Sequence, residues 1–260
     1  METDFSLRKL TRLYSTILSS NYEIITFSDY LQKNYKDKAV ILRHDVDRQV
    51  KNALKIARLE QELGIRASYY FRYRKRVFKP GIIKEISSLG HEIGYHYEVL
   101  AKTRGRLEKA IELFKKELEQ FGKNTAINVK TICMHGSPLS KWDNRKLWEK
   151  YSYKELELLG EPYFDIDFTR VFYITDTGRK WNSSKFNLRD KVETPFKFDF
   201  KNTDEIRDAF KNNRLPVIIM INIHPHRWQG NHFLWVKELV FQNLKNVVKV
   251  FFVFVNKRKQ

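Results

Sequence analysis

The sequence predicts an α/β barrel, a parallel sheet curled on itself with helices on its outer face. Strand-length apolar runs recur along the chain: KAVILRHD (38–45), IRASYYFRY (65–73), HEIGYHYE (91–98), NVKTICMHG (128–136) and PVIIMINIHP (216–225). Segments of helical periodicity separate them, and continuous apolar strands alternating with helices mark a parallel sheet covered by helices. Roughly six or seven such units in 260 residues favour closure over an open doubly wound sheet.

Each element has its own local reason. Residues 5–18 read as a helix followed by the short segment EIITFSDYL, so that 1–37 is expected to be a helical extension packed on the barrel. VKNALKIARLEQELG places Val50, Ala53, Leu54, Ala57 and Leu63 near helical spacing and stops at Gly64. A short helix is expected around IIKEISSLG. The clearest helix carries Leu107, Ala110, Ile111, Phe114, Leu118 and Phe121 on one face, with Gly122 behind them. Residues 139–163 are irregular, with a short helix in YKELELLG. FDIDF and VFYITDT read as two short strands with a hairpin as one option, and DEIRDAFKN as a helix. The tail HFLWVKELVFQNLKNVVKVFFVFVN reads as one long helix, although its end VVKVFFVFV suits a strand equally well.

Composition narrows the function. With 42% hydrophobic and 31% charged residues the chain is a folded globular protein, not a disordered one. The single cysteine, Cys133, excludes an intrachain disulfide framework and a cysteine-rich metal site; it reads as a small buried hydrophobe. METDFSLRKL has no apolar signal core, and the longest apolar run, VIIMINI, is short and broken by Asn222. A cytoplasmic location is expected, with contact at the inner face of an anionic membrane as an option. Forty-nine basic against 31 acidic residues leave +18, a field that attracts nucleic acid, anionic lipid or phosphorylated metabolites without choosing among them. A generally basic, soluble surface explains it equally well. The charge is scattered apart from RYRKR (72–76) and the terminal KRKQ, and no nucleic-acid-binding motif accompanies it, so dedicated nucleic-acid binding is not expected.

Four strands end in polar clusters: RHDVD (43–47), GYHYE (94–98), CMHGS (133–137) and NIHPH (222–226). In a parallel barrel those ends share one rim, where chemistry is done. Arg43, Asp45 and Asp47 lie on one face of an extended strand. Two carboxylates so placed repel unless a cation or proton sits between them, or unless Arg43 neutralises one. His91 opens its strand at the wrong end and reads as structural, whereas His96 is at the rim. His135 completes an Asp/His/His set with Asp47 and His96. Zinc accepts such a set, as do iron, cobalt, nickel and manganese less often. Pro225 holds His224 extended, and either His224 or His226 is the candidate general acid. Asp176 and Arg179 are candidates to orient catalytic groups and Trp181 to stack on a sugar ring, against the alternative of an ordinary surface hairpin. The loop 136–148 is a candidate to close over substrate.

The order RHDVD, GHEIGYHYE and NIHP resembles the polysaccharide deacetylase superfamily, the NodB-like carbohydrate esterases, over about residues 38–228. The resemblance implies a distorted (β/α)7 barrel forming a single catalytic domain over 1–260, in which one divalent metal ion, zinc foremost, removes acetyl groups from sugars. It implies Asp45 as base, Asp47 and His96 as metal ligands and His224 as acid. The family's second metal histidine falls on Leu100, and His135 is the proposed replacement. Arg43, Glu98, Asp176, Arg179, Trp181 and His226 complete the expected site as substrate-binding or orienting residues. The partner implied is an acetylated sugar, nucleotide- or lipid-linked and so phosphate-bearing, in surface polysaccharide biosynthesis. The alternatives are hydrolysis of another acyl or phosphoester bond, a non-catalytic carbohydrate-binding relative, and a basic nucleic-acid-binding protein.

Overall fold

The computed structural model describes residues 3–136, 140–181 and 192–257, with side chains described as far as residue 247. The chain runs α1 (Leu7–Ser19), β1 (Glu23–Ile25), α2 (Phe27–Leu31), β2 (Ala39–Val46), α3 (Val50–Glu62), β3 (Ser68–Phe71), α4 (Pro80–Ser88), β4 (Glu92–Tyr97), α5 (Val99–Lys102), α6 (Leu107–Thr125) and β5 (Ile132–Met134). It continues through α7 (Pro162–Asp165), β6 (Phe172–Thr175), α8 (Thr203–Lys211), β7 (Ile218–Ile223) and α9 (His232–Lys257).

The strands form one parallel sheet in the order β5-β4-β3-β2-β7-β6. β1 pairs with Ala39–Ile41 of β2, and β3 takes the same edge from Arg43 onward. The segment 1–37 therefore does more than pack on the barrel. It supplies a strand to the sheet, while α1 packs against α8.

The sheet curls into a distorted barrel. Its inner core joins Cys133 of β5 to Tyr173 of β6, the two end strands, through Tyr70, Ile41 and Met220. No pairing joins β5 to β6 among the described residues. The gap is filled by 160–171: Gly160 bridges Thr131, and Ile166 and Phe168 pack into the inner core. A larger outer core lies under the helices, where Ala110, Ile111, Phe114 and Phe121 of α6 turn inward as their spacing predicts.

Side-chain hydrogen bonding explains where the structure departs from the sequence reading. FDIDF is not a strand. Glu161 caps Tyr163 N at 2.6 Å, Pro162 opens the one-turn helix α7, and Asp167 accepts from Thr169 N at 3.0 Å to make a turn. Local carboxylate–backbone bonds thus override the alternating pattern, and no hairpin forms with β6. YKELELLG is a single 3₁₀ turn, ended by Glu157 at φ 57°. The tail is helical to Lys257, so its strand alternative is not taken.

The outer face of β2 is held by Glu60, which is fully buried. It accepts hydrogen bonds from Tyr14 and Tyr69, both at 2.6 Å, and lies 2.7 Å from His44 Nε2. His91 is structural, as its strand position predicts: its ring bridges Ala57 O and Ala67 N.

Inside the barrel β3 and β4 approach closely at Gly94. A Cβ there would lie 2.3 Å from the buried Tyr70 ring and 3.0 Å from Thr131 O. Gly94→Ala is expected to destabilise the fold by about 1–3 kcal/mol through overpacking. Urea denaturation checks this, and an unchanged midpoint would contradict it.

Candidate active site

The C-terminal ends of β2, β4 and β5 bring Asp47, His96 and His135 together. Asp47 is set by a tight turn in which its N–H donates to Asp45 O at 3.0 Å. His135 N donates to Tyr97 O at 2.8 Å, extending the strand pairing by one residue, and Asn144 Nδ2 holds the His135 carbonyl at 2.8 Å. The three donor atoms form a small triangle. Asp47 Oδ1 is 2.9 Å from His135 Nδ1 and 3.5 Å from His96 Nε2, and the two ring nitrogens are 3.2 Å apart.

Two observations show that this triangle suits a divalent cation. Ligands set tetrahedrally around zinc at about 2.0–2.1 Å are roughly 3.3–3.4 Å from one another, close to the sides seen here. His96 Nδ1 lies 2.9 Å from Cys133 O. That carbonyl takes the ring proton, leaving the Nε2 lone pair to face the triangle, as backbone acceptors commonly orient metal-ligating histidines. Asp47 Oδ1 is buried and has no aligned hydrogen-bond donor among the described residues, despite the two imidazoles beside it. Burial pushes the Asp47 carboxyl up, but His135 and His96 outweigh it and hold the group well below its usual range. For His96, burial lowers the imidazole, while Asp45 and Asp47 raise it further. The position that the family motif gives to a second histidine, Leu100, is only 2% exposed and packs in the apolar core.

Asp45 sits beside the triangle in a different state. Arg43 grips it with Nε on Oδ1 at 2.8 Å and Nη2 on Oδ2 at 2.6 Å, and Asn222 Nδ2 donates to Oδ2 at 3.0 Å. Arg43 is itself fully buried between the rings of Tyr70 and Tyr163. Burial would raise the Asp45 carboxyl, but Arg43 and then His96 hold it far below its usual value. Repulsion between the two aspartates is therefore relieved twice over, by Arg43 at Asp45 and by the imidazoles at Asp47. Asp45 Oδ2 remains 4.0 Å from His96 Nε2.

His224 approaches from β7. Its Nδ1 lies 2.6 Å from Asp176 Oδ1, and its backbone N–H donates to Asp176 Oδ2 at 3.0 Å. Asp176 also accepts from Arg227 Nη1 at 2.7 Å and Trp228 Nε1 at 2.8 Å. The carboxylate is thus committed to orienting His224, and the proton on Nδ1 leaves Nε2 outside that pair. His224 contributes to the ionisation of both Asp45 and Asp47. His226 differs. Burial, then Arg48 and Arg227, push its imidazole well below the usual value. A ring that stays neutral is a poor proton donor, so of the two histidines His224 fits the acid.

Several expected site residues lie elsewhere. Trp181 is 1% exposed, packed between Phe5 and Trp228, with Nε1 donating to Thr203 Oγ1 at 3.0 Å; it has no face to offer a sugar. Arg179 is sandwiched between Phe5 and Trp235 and donates to Arg227 O at 3.3 Å, so it braces the fold instead of orienting catalytic groups. Glu98 is clamped by Arg72 at 2.6 Å and Arg74 at 2.8 Å. Although burial raises it, these arginines hold its carboxyl at about 2. In the loop 136–148, residues 137–139 lie outside the described residues. Trp148 packs on the barrel through Nε1 to Tyr97 OH at 2.9 Å.

Two residues of the interior were not singled out as functional from sequence. Asn222 breaks an apolar run and opens the strand-end cluster NIHPH, and its side chain bonds Asp45. Glu161, fully buried, accepts from Met134 N at 2.9 Å and Tyr163 N at 2.6 Å. Burial pushes its carboxyl up to about 7 against the lowering effect of these N–H groups and Arg43. Its only sequence signal is its place directly before Pro162.

No family model and no curated protein matches the sequence. Among solved structures, the likeness is to family 4 carbohydrate esterases. One from Bacillus anthracis is 14% identical, with 88% of this chain and 83% of that chain covered at a TM-score of 0.43. Another, from Streptomyces lividans in complex with acetate, is 12% identical, with 81% and 90% covered at 0.43. A CE4 family pseudoenzyme from Bacillus anthracis is 12% identical, with 81% of this chain covered at 0.45, and this chain spans 62% of its length.

Two measurements test this geometry. Dialysis against cobalt(II) is expected to load about one equivalent with the visible absorption of a tetrahedral site. His96→Ala and His135→Ala should each weaken loading by at least about tenfold, and full loading of His135→Ala would remove that residue from the set. The second concerns Glu161, whose folded value of about 7 exceeds its ordinary 4.5. The folded chain then binds the extra proton between those values, so stability falls as pH rises from 4.5 through 7. Glu161→Gln, which cannot ionise, should be destabilised near pH 5. Its deficit relative to the parent should narrow by on the order of 1–3 kcal/mol near pH 8. Urea unfolding at both pH values reads this, and a constant gap would count against it.

Proposed function

We propose that the protein is a metal-dependent hydrolase that removes an acetyl group from the nitrogen of an acetylated sugar. The observation that carries this reading is the convergence on one rim of the Asp47–His96–His135 triangle, the adjacent carboxylate Asp45 and the Asp176-oriented His224. Three donors for a divalent cation, a base and an oriented imidazole are the parts that amide hydrolysis needs. The choice of an acetylated sugar rests on the motif resemblance.

Asp47, His96 and His135 would hold a divalent cation, which would supply polarisation of water and of the acyl carbonyl. Asp45 accepts the water proton, and Arg43 and Asn222 keep that carboxylate ionised and fixed in direction. His224, its Nδ1 locked to Asp176, carries the transferable proton on Nε2 and donates it to the departing nitrogen. Arg227 and Trp228 brace Asp176 and so act through His224, as positioning residues. A phosphate-bearing substrate, linked to a nucleotide or lipid carrier, fits the +18 charge of the chain.

One observation favours a second reading, a carbohydrate-binding relative without turnover. Both oxygens of Asp45 are already engaged by Arg43, which lowers its basicity. Acetate release from N-acetylated sugars separates the two. Asp45→Asn is expected to keep the metal and cut turnover by roughly 10²–10⁴. His224→Ala should slow amides strongly and activated esters much less, since a good leaving group needs no proton. Cobalt-loaded parent protein that hydrolyses neither acetylated sugars nor activated esters would favour the binding reading.

A further inference from the structure

We propose that α9 docks the protein on an anionic lipid surface through an outward-facing apolar stripe. The helix is inside out. Its inward face is polar: Glu238, Gln242 and Asn246 are buried, and Arg48 Nη2 donates to Glu238 at 2.7 Å. Gln242 donates to Asn246 at 2.8 Å and Asn246 to Gly178 O at 3.0 Å. On the opposite side Phe233, Val236, Val240, Leu244 and Val247 follow helical spacing. At about 100° per residue they fall within roughly 40° of one line along the helix. They are 75%, 40%, 54%, 62% and 69% exposed. A contiguous apolar patch of this kind marks an interaction surface.

Charge identifies what covers it. From His232 onward the sequence holds Lys237, Lys245, Lys249, Lys257, Arg258 and Lys259 against Glu238 alone, and Glu238 is already paired with Arg48. Pairing the stripe with a second copy would bring together two chains of +18 each. An anionic bilayer offers apolar depth and opposite charge at once, which is what a basic amphipathic helix lying in the membrane plane requires. Among the described residues no helix is long and apolar enough to cross a membrane. The 26 residues of α9 instead give about 39 Å of helix to lie along the surface. The same helix touches the rim of the candidate site: Glu238 binds Arg48, the neighbour of Asp47, and lies 4.0 Å from His226 Nε2. Docking through the outward stripe therefore leaves α9 between the lipid and that rim. This inference stands independently of the hydrolase reading.

Co-sedimentation of the full chain with vesicles tests it. Binding to mixed phosphatidylcholine/phosphatidylglycerol vesicles at low salt is expected to exceed binding to phosphatidylcholine alone by at least about tenfold. The double variant Val240→Ser/Leu244→Ser, altered only at exposed positions, should lose at least about tenfold of that affinity with an unchanged melting temperature. Absence of binding by the parent protein, or equal binding by the double variant, would overturn the proposal. So would a parent protein that doubles in mass with concentration in light scattering while the variant stays monomeric, because the stripe would then belong to a second copy.

Discussion

The structure depends on satisfying the charged and polar side chains carried by its central strand. β2 is buried along all eight residues, yet it holds Arg43, His44 and Asp45 in succession. An unpartnered charged or polar group in such a place costs several kcal/mol, so each side chain must find a partner on its own side of the sheet. Inside the barrel Arg43 and Asp45 pair with each other, and Asn222 ties them to β7. Outside, His44 pairs with Glu60, whose remaining capacity is used by Tyr14 and Tyr69. A one-residue slip would exchange the faces and break both arrangements at once, which pins the register of the strand.

That register also builds the rim. With Arg43 and Asp45 committed to the interior, Asp47 is carried to the strand end, where His96 and His135 arrive from β4 and β5. The site is held mainly by backbone. The Cys133 carbonyl orients His96, the turn from Asp45 O places Asp47, and the Tyr97 carbonyl anchors His135. Orientation of this kind needs no side-chain ordering at the moment of binding, and the donors stand preorganised. His224 is the exception, because its direction comes from the side chain of Asp176 on a different strand end.

Closure is uneven around the barrel. Where β5 and β6 fail to pair, the segment 160–171 lies between them and brings the buried Glu161 with it. Polar groups placed deep in the interior are satisfied there by backbone N–H groups instead of strand partners. At the opposite extreme, α9 packs a polar face inward and leaves apolar side chains outside, the reverse of α6.

Periodicity and strand-end chemistry made the parallel barrel, its strands and the Asp47–His96–His135 grouping legible in the sequence, because each rests on local spacing: alternate faces of a strand, and polar residues at its end. His91 and Cys133 were readable for the same reason. Trp181, Arg179 and Glu98 were not. Their residue types suit a site, but exposure is settled by what packs over them, namely Phe5, Trp228 and Trp235 for the first two and Arg72 and Arg74 for the third. The short strand expected at FDIDF failed because its carboxylates found backbone partners within a few residues. The sequence by itself determined which residues reach the rim, since strand geometry places them there. Only the tertiary structure decided the state of the other ionisable groups, because His135 and His96 on Asp47, Asp176 on His224 and burial on Glu161 act through space between segments far apart in the chain.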